Sequence, residues 1–201
     1  MRAAAVGWTV LTLLAAAQDA AKDNTPPSDE FELLFTGRDL ENWISDPDTV
    51  AHWVVKDGEL HADGKGGNLV SERNYRDFEL LVDWSAEPGS SGGIFVRGRP
   101  KIAIVDPSMN DAGSGGLVFN KKDNRPAVKA DKAAGEWNSF EIRVVGGRVT
   151  VRLNDQVVVD DVTMDNAYDY SRKLPFLGRI ELEAKGPMRF KNIYLRPLKS
   201  R

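Results

Sequence analysis

The sequence has no cysteine, and that one absence removes disulfides, thiolate metal sites, a cysteine nucleophile and an N-terminal lipidated cysteine. Cations are not in excess either. The chain sets 27 Lys and Arg against 30 Asp and Glu, a formal net charge of -3, so it carries no basic field for nucleic acid. Histidine is scarce. His52 and His61 flank a predicted hairpin and could oppose one another, but two imidazoles without a third ligand do not make a zinc site, and they read as surface residues. Past the first twenty residues no apolar run nears the roughly 20 residues of a membrane span. Helical periodicity is confined to fragments such as 164–171, good for one turn or two. What is left is a 201-residue chain with 41% apolar residues, enough for one domain with a full core.

The N-terminus reads as an export signal. Arg2 is a minimal basic region, Ala3 to Leu14 is apolar, and Ala15-Ala16-Ala17 fits small-residue cleavage, giving a signal peptide over 1–17. Residues 18–30 are polar and read as a flexible spacer, leaving a domain over 31–198. That domain alternates with period two. Phe78, Leu80, Val82 and Trp84 share one face of a strand; so do Phe140, Ile142 and Val144, then Val149, Val151 and Leu153, then Ile180, Leu182 and Ala184. Alternation over so many segments predicts half-buried antiparallel strands. Asp57-Gly58, Gly146-Gly147 and Asn154-Asp155 supply the turns between them. The expected fold is all-β, with ten to twelve short strands in a two-sheet antiparallel sandwich. Phe190 has the opposite parity to Ile193 and Leu195, which predicts a bulge in the last strand.

Few residues suggest chemistry. Glu181 and Glu183 share one face of a strand, roughly 7 Å apart, and Lys185 follows on that face. Paired carboxylates serve glycosidic cleavage, although the same pattern is also ordinary for an exposed edge strand. Arg97 and Lys101 bracket the break Gly98 to Pro100, and Asp106 ends the next strand. The two cations could hold hydroxyls or carboxylates, or they could protect a strand rim from edge pairing. Trp43, Trp53, Trp84 and Trp137 could stack on sugar rings; Trp84 is in phase with the core, whereas Trp137 lies on a polar face beside a turn. Ser90 and Ser91 have neither a base partner nor a nucleophile-elbow context and read as loop residues.

Six stretches, in order, resemble a known family: FELLFTGRDLENW, YRDFELLVDW, SSGGIFVR, the short I-x-I-x-D strand that ends at Asp106, AAGEWNSFEIRVVGGRVTVRLND, and MRFKNIYLRPL at the end. Together they resemble the 3-keto-disaccharide hydrolase domain over about Phe31 to Leu198. The resemblance implies a jelly-roll sandwich of the concanavalin A-like lectin and glucanase type, export, and cleavage of 3-keto-glycosides. A ketone at C3 acidifies the proton on C2. A base removes that proton, the glycosidic oxygen leaves from C1, and water can add back afterwards. Such a site needs a base, an electrophile for the enolate and an acid for the leaving group.

The chain departs from the family where that chemistry would sit. A Glu-x-Gln pair expected after the arginine strand is here Lys101 and Ala103, and Leu-Gln-x-His-Gly is here Leu182-Glu183-Ala184-Lys185-Gly186. Lysine repels a cation at that position, so neither a metal nor any other cofactor is expected. Two readings remain open. In the first the cleft is rewired: Glu183 or Glu181 is the base, Lys185 or Lys101 stabilises an enolate or binds an acidic sugar, and Arg97, Lys101, Asp106 and Trp137 contact an oligosaccharide or glycoside. In the second the domain is a non-catalytic glycan-binding sandwich. A third use of the fold, as a protein-contact domain of a surface assembly, has less support in the residues. Neither nucleic acid nor, beyond the signal peptide, membrane is an expected partner, and the expected location is exported, periplasmic or extracellular.

Overall fold

Period-two alternation builds strands, and turn residues decide where each one ends. The computed structural model describes residues 24–44, 46–122 and 124–199; the signal-peptide reading lies outside them. The strands are β1 (Glu32–Leu33), β2 (Trp53–Lys56), β3 (Glu59–Ala62), β4 (Leu69–Val70), β5 (Phe78–Ala86), β6 (Ser91–Val96), β7 (Lys101–Ile104), β8 (Leu117–Val118), β9 (Asn138–Val145), β10 (Arg148–Leu153), β11 (Gln156–Thr163), β12 (Ile180–Lys185) and β13 (Met188–Pro197). One short helix, α1 (Pro47–Val50), starts at Asp46, whose carboxylate accepts from the Thr49 amide. The 164–171 fragment forms turns rather than the expected helical turn: Asn166 and Asp169 accept from main-chain amides two residues on, which replaces helical bonding.

Two antiparallel sheets result. The larger runs β11-β10-β9-β5-β13-β3-β2, with β1 also on β13; the smaller runs β4-β12-β6-β7-β8. The chain changes sheet repeatedly, so six of the eleven strand pairings among the described residues join strands that are not consecutive in sequence. β12 lands beside β6, and β13 is inserted between β5 and β3. This is the jelly-roll sandwich expected above.

The alternating apolar sets meet between the sheets. Phe78, Leu80, Val82, Phe140, Ile142 and Val144 from the large sheet face Ile94, Ile102, Ile180 and Leu182 from the small one, all fully buried. Trp84 packs on Phe140 with ring centroids 5.4 Å apart, and Trp53 on Phe190 at 5.9 Å. Trp43, Trp53 and Trp84 are all core residues.

The predicted bulge falls between Lys191 and Tyr194, with Asn192 at φ 51°. It lets Phe190 and then Ile193 and Leu195 all point inward. The bulge also ties down the residues leading into the domain. Asn24 exchanges two hydrogen bonds with Asn192 and donates to the Gly58 carbonyl; Glu30 accepts from Arg196 at 2.6 Å. The end of the stretch read as a loose spacer is therefore docked on the sandwich, because the bulge leaves an amide and a side-chain amide free to receive it.

If parity sets burial, adjacent residues of β9 will respond in opposite ways. Ile142→Ala should cost about 2–5 kcal/mol in urea unfolding, whereas Arg143→Ala, on the exposed side, should change stability by no more than about 0.5 kcal/mol.

Candidate functional site

The outward-facing residues of the small sheet form the site. Parity sends Ile180, Leu182 and Ala184 of β12 into the core and leaves Glu181, Glu183 and Lys185 on the outer face. On β6 the outer positions are Gly93 and Phe95; on β7 they are Lys101 and Ala103. Glu183 lies opposite Gly93, and Gly93 opposite Ala103. With no side chain at Gly93, Lys101 lies over that position. A Cβ there would come within 2.8 Å of the Lys101 Cγ and 2.4 Å of the Ile102 carbonyl oxygen. Lys101 thus reaches across β6 and donates from Nζ to Glu183 Oε2 at 2.5 Å, both side chains being about 15% exposed (15% and 14%).

Rings flank the lysine. The Lys101 ammonium lies 5.7 Å from the Phe95 centroid and 5.6 Å from that of Phe119, and the two rings stack 6.2 Å apart. Arg99 stands over Phe119 at 4.3 Å and near Tyr168 at 5.2 Å. Beside the pair, Glu181 accepts from the Asn68 amide at 3.0 Å, and Lys185 is exposed at the end of the same row. Past Ala103 the face continues into a cleft of about 430 Å³ lined by Ala103, Val105, Met109, Val118 and Arg125 among others.

Four of the sequence-predicted residues therefore share one face: Glu181, Glu183, Lys185 and Lys101. Three do not take the place expected of them. Arg97 has φ 54°, which breaks strand parity and turns its side chain inward, where it is 3% exposed. Its guanidinium donates to the Gly146 and Phe176 carbonyls and lies 3.7 Å from Asp77. Burial pulls its pKa below the usual value, opposed by Asp77. It is an internal clamp on the Gly146-Gly147 turn and cannot touch a substrate on the outer face. Asp106 is also buried, accepting from the Gly89 amide at 2.7 Å and from Ser108 N and Oγ at 2.8 and 2.7 Å. It organises the loop beside the cleft. Trp137 lies between Arg189 at 4.9 Å and Lys191 at 4.6 Å, on the outer face of the large sheet; the whole sandwich separates it from Glu183. The histidines do not oppose one another. His52 pairs with Asp63 and His61 with Glu59.

Sequence reasoning missed Phe95, Arg99, Phe119, Tyr168 and Asn68. Phe95 and Arg99 had a local signal, since F-V-R-G-R-P-K sets three cations in the six residues that follow one ring. Phe119 and Tyr168 come from distant loops and carry none. Among the described residues no three Asp, Glu or His gather to hold a metal. Beside Glu183 the coordination space is taken by an ammonium, so the pair does not fit a bound cation.

A sandwich with this sheet order and a charged outer face on its smaller sheet is a concanavalin-like jelly roll of the β-glucanase kind. The β-glucanase of Bacillus licheniformis superimposes with a TM-score of 0.59 at 12% identity, covering 84% of this chain and 97% of that one. A candidate glycosyl hydrolase from Parabacteroides distasonis ATCC 8503 superimposes with a TM-score of 0.69 at 21% identity, over 88% of this chain and all of that one. The chain belongs to the 3-keto-α-glucoside-1,2-lyase-like domain family, which it matches over residues 30–196. A 3-keto-disaccharide hydrolase of Bacteroides thetaiotaomicron is 25% identical over 170 residues, 66% of this chain and 59% of that protein. The chain spans about three-fifths of that relative's length.

Two measurements check the site. Gly93→Ala should push β6 from β7 and displace Lys101, lowering stability by about 1–3 kcal/mol and shifting the Lys101 Hε and Cε signals in NMR spectra. The Asp106 carboxyl is held below the ordinary aspartate range, chiefly by the Gly89 amide and then by Ser108. A depressed folded pKa stabilises above the unfolded value and loses that contribution as pH falls through the folded one. The stability gap between the natural chain and Asp106→Asn should therefore be constant above about pH 5 and close below about pH 4.

Proposed function

We propose that the domain cleaves a glycoside carrying a ketone at C3, with Glu183 as the base and Lys101 as the electrophile. The observation that carries this reading is the 2.5 Å contact between the two, with aromatic rings flanking the lysine. In the unit H–C2–C3=O the acidic hydrogen and the carbonyl oxygen sit on adjacent carbons. A base and a cation in contact match that spacing. Glu183 takes the C2 proton. Lys101, which has three N–H donors, keeps one on Glu183 and offers another to the oxygen that becomes the enolate. The C1–O bond then breaks, and the departing oxygen takes a proton from the exposed Lys185 ammonium or from water. Addition of water across C1 and C2 returns the proton to C2 and gives the free 3-keto sugar.

Family membership and the glucanase-like fold support a carbohydrate ligand. On the same reading the apolar N-terminal run directs export. A glycan-binding domain without turnover is the competing use of the same face, favoured by the exposed rings of Phe119 and Tyr168.

The test is release of free sugar from a 3-keto-disaccharide, with the parent disaccharide as comparison. The keto sugar alone should be cleaved, and Glu183→Gln should lower the rate by about 10²–10⁴-fold. Glutamine keeps an oxygen for the Lys101 hydrogen bond, so stability and binding should hold. Binding without release would establish the glycan-binding reading instead.

A further inference from the structure

The proposed chemistry leaves one conspicuous cation unused. Arg99 stands beside the Lys101–Glu183 pair and shares the Phe95 and Phe119 rings with Lys101, its guanidinium carbon 5.7 Å from the first and 4.3 Å from the second. Tyr168 approaches it at 5.2 Å. Among the described residues Arg99 has neither a hydrogen-bond acceptor nor a carboxylate for its guanidinium. Arg148, Arg189 and Arg196 show the contrast, since each faces an acid within 3.3 Å.

A guanidinium packed against rings is positioned before any ligand arrives. The Arg99 guanidinium carbon lies over the Phe119 ring at 4.3 Å, and the fork of N–H donors along its edge stays available to acceptors in its plane. The ligand geometry that satisfies such an edge is a carboxylate taking two parallel hydrogen bonds. Nearby acids do not compete: Glu183 is held by Lys101, and Glu181 by Asn68. The two cations divide the labour by what they already bind, since Lys101 is neutralised by Glu183 whereas Arg99 brings an uncompensated charge to the same face.

We infer that Arg99 receives the carboxylate of a uronic acid residue, so that the domain prefers acidic glycosides over neutral ones. This rests on the reading of the face as a carbohydrate site, but binding can be measured without turnover. Isothermal titration calorimetry at low ionic strength would compare 4-O-β-glucuronosyl-glucose with its methyl ester, which keeps the shape and removes the charge. The acid should bind at least about tenfold tighter, with the ratio shrinking as salt is added. Arg99→Met preserves a straight side chain over the rings and should bring the ratio close to one. Arg172→Met, which removes an exposed cation elsewhere, should leave the ratio as it was. A ratio near one in the natural chain, or a ratio untouched by Arg99→Met, overturns the inference. A sulfated disaccharide binding as tightly as the uronate overturns the carboxylate assignment. Cleavage of keto sugars with no preference for acid would sink this inference alone, whereas Arg99-dependent uronate binding without cleavage would sink the proposed reaction and leave this one standing.

Discussion

Everything on the candidate face depends on how closely three strands approach at Gly93. β6 lies between β12 and β7, and Gly93 is the point where both neighbours come opposite a residue without a side chain. Had that position carried even a methyl group, it would have met the Ile102 carbonyl and the Lys101 stem. Because it does not, a lysine from one neighbour can lie over the middle strand and meet a glutamate from the other. The result is an ion pair that local sequence does not contain, between residues 82 positions apart. The pair exists because the chain changes sheet between β11 and β13, delivering β12 to the edge of β6 rather than to β11.

The three cations of the β6–β7 hairpin show how finely backbone conformation assigns a role. Arg97 and Lys101 have similar sequence surroundings and end up in opposite environments. A left-handed backbone at Arg97 carries its guanidinium inside, against Asp77 and two carbonyls. The cost of burying that charge is offset by giving both terminal nitrogens a carbonyl acceptor beside Asp77, although Nε finds no partner, and Gly178, whose Cβ would lie 2.4 Å from the Arg97 Cα, lets the chain close over it. Lys101 stays on the face and keeps a carboxylate. Arg99, between them, has rings instead of acids. One hairpin thus holds a structural cation, a neutralised cation and a cation with its charge still available.

The architecture was legible because its signals are local and repeated. Alternation gave the inward sets of β5, β9, β10 and β12, and all of them are buried. Turn residues gave the hairpins at Asp57-Gly58, Gly146-Gly147 and Asn154-Asp155, and a break in parity gave the bulge at Asn192. The face of β12 that carries Glu181, Glu183 and Lys185 followed from the same parity. What sequence could not show was which distant residues meet on that face. Arg97 was misplaced because a single positive φ reverses a side chain, and nothing in the residue type announces it. Trp137 was misplaced because parity tells inside from outside but not which outer face of a sandwich a residue occupies. Phe119 and Tyr168 were missed because their position is set by tertiary packing alone.

A lysine and a bound metal ion would serve this face differently. A divalent cation held by carboxylates would stabilise an enolate by field strength and would leave the surrounding acids unable to act as free bases. A lysine does the task differently. It carries one charge, can give up a proton, and holds its glutamate in place without coordinating both oxygens. In the pair seen here only one Glu183 oxygen accepts from Lys101, so the other remains for a substrate proton. A carboxylate oxygen and an ammonium thus stand side by side, the two groups that the proposed cleavage beside a ketone requires, and Arg99 adds a further positive charge to the same face. On the proposed reading, lysine at this position serves the chemistry because a carboxylate meets it from the far side of the middle strand and a second cation stands beside it.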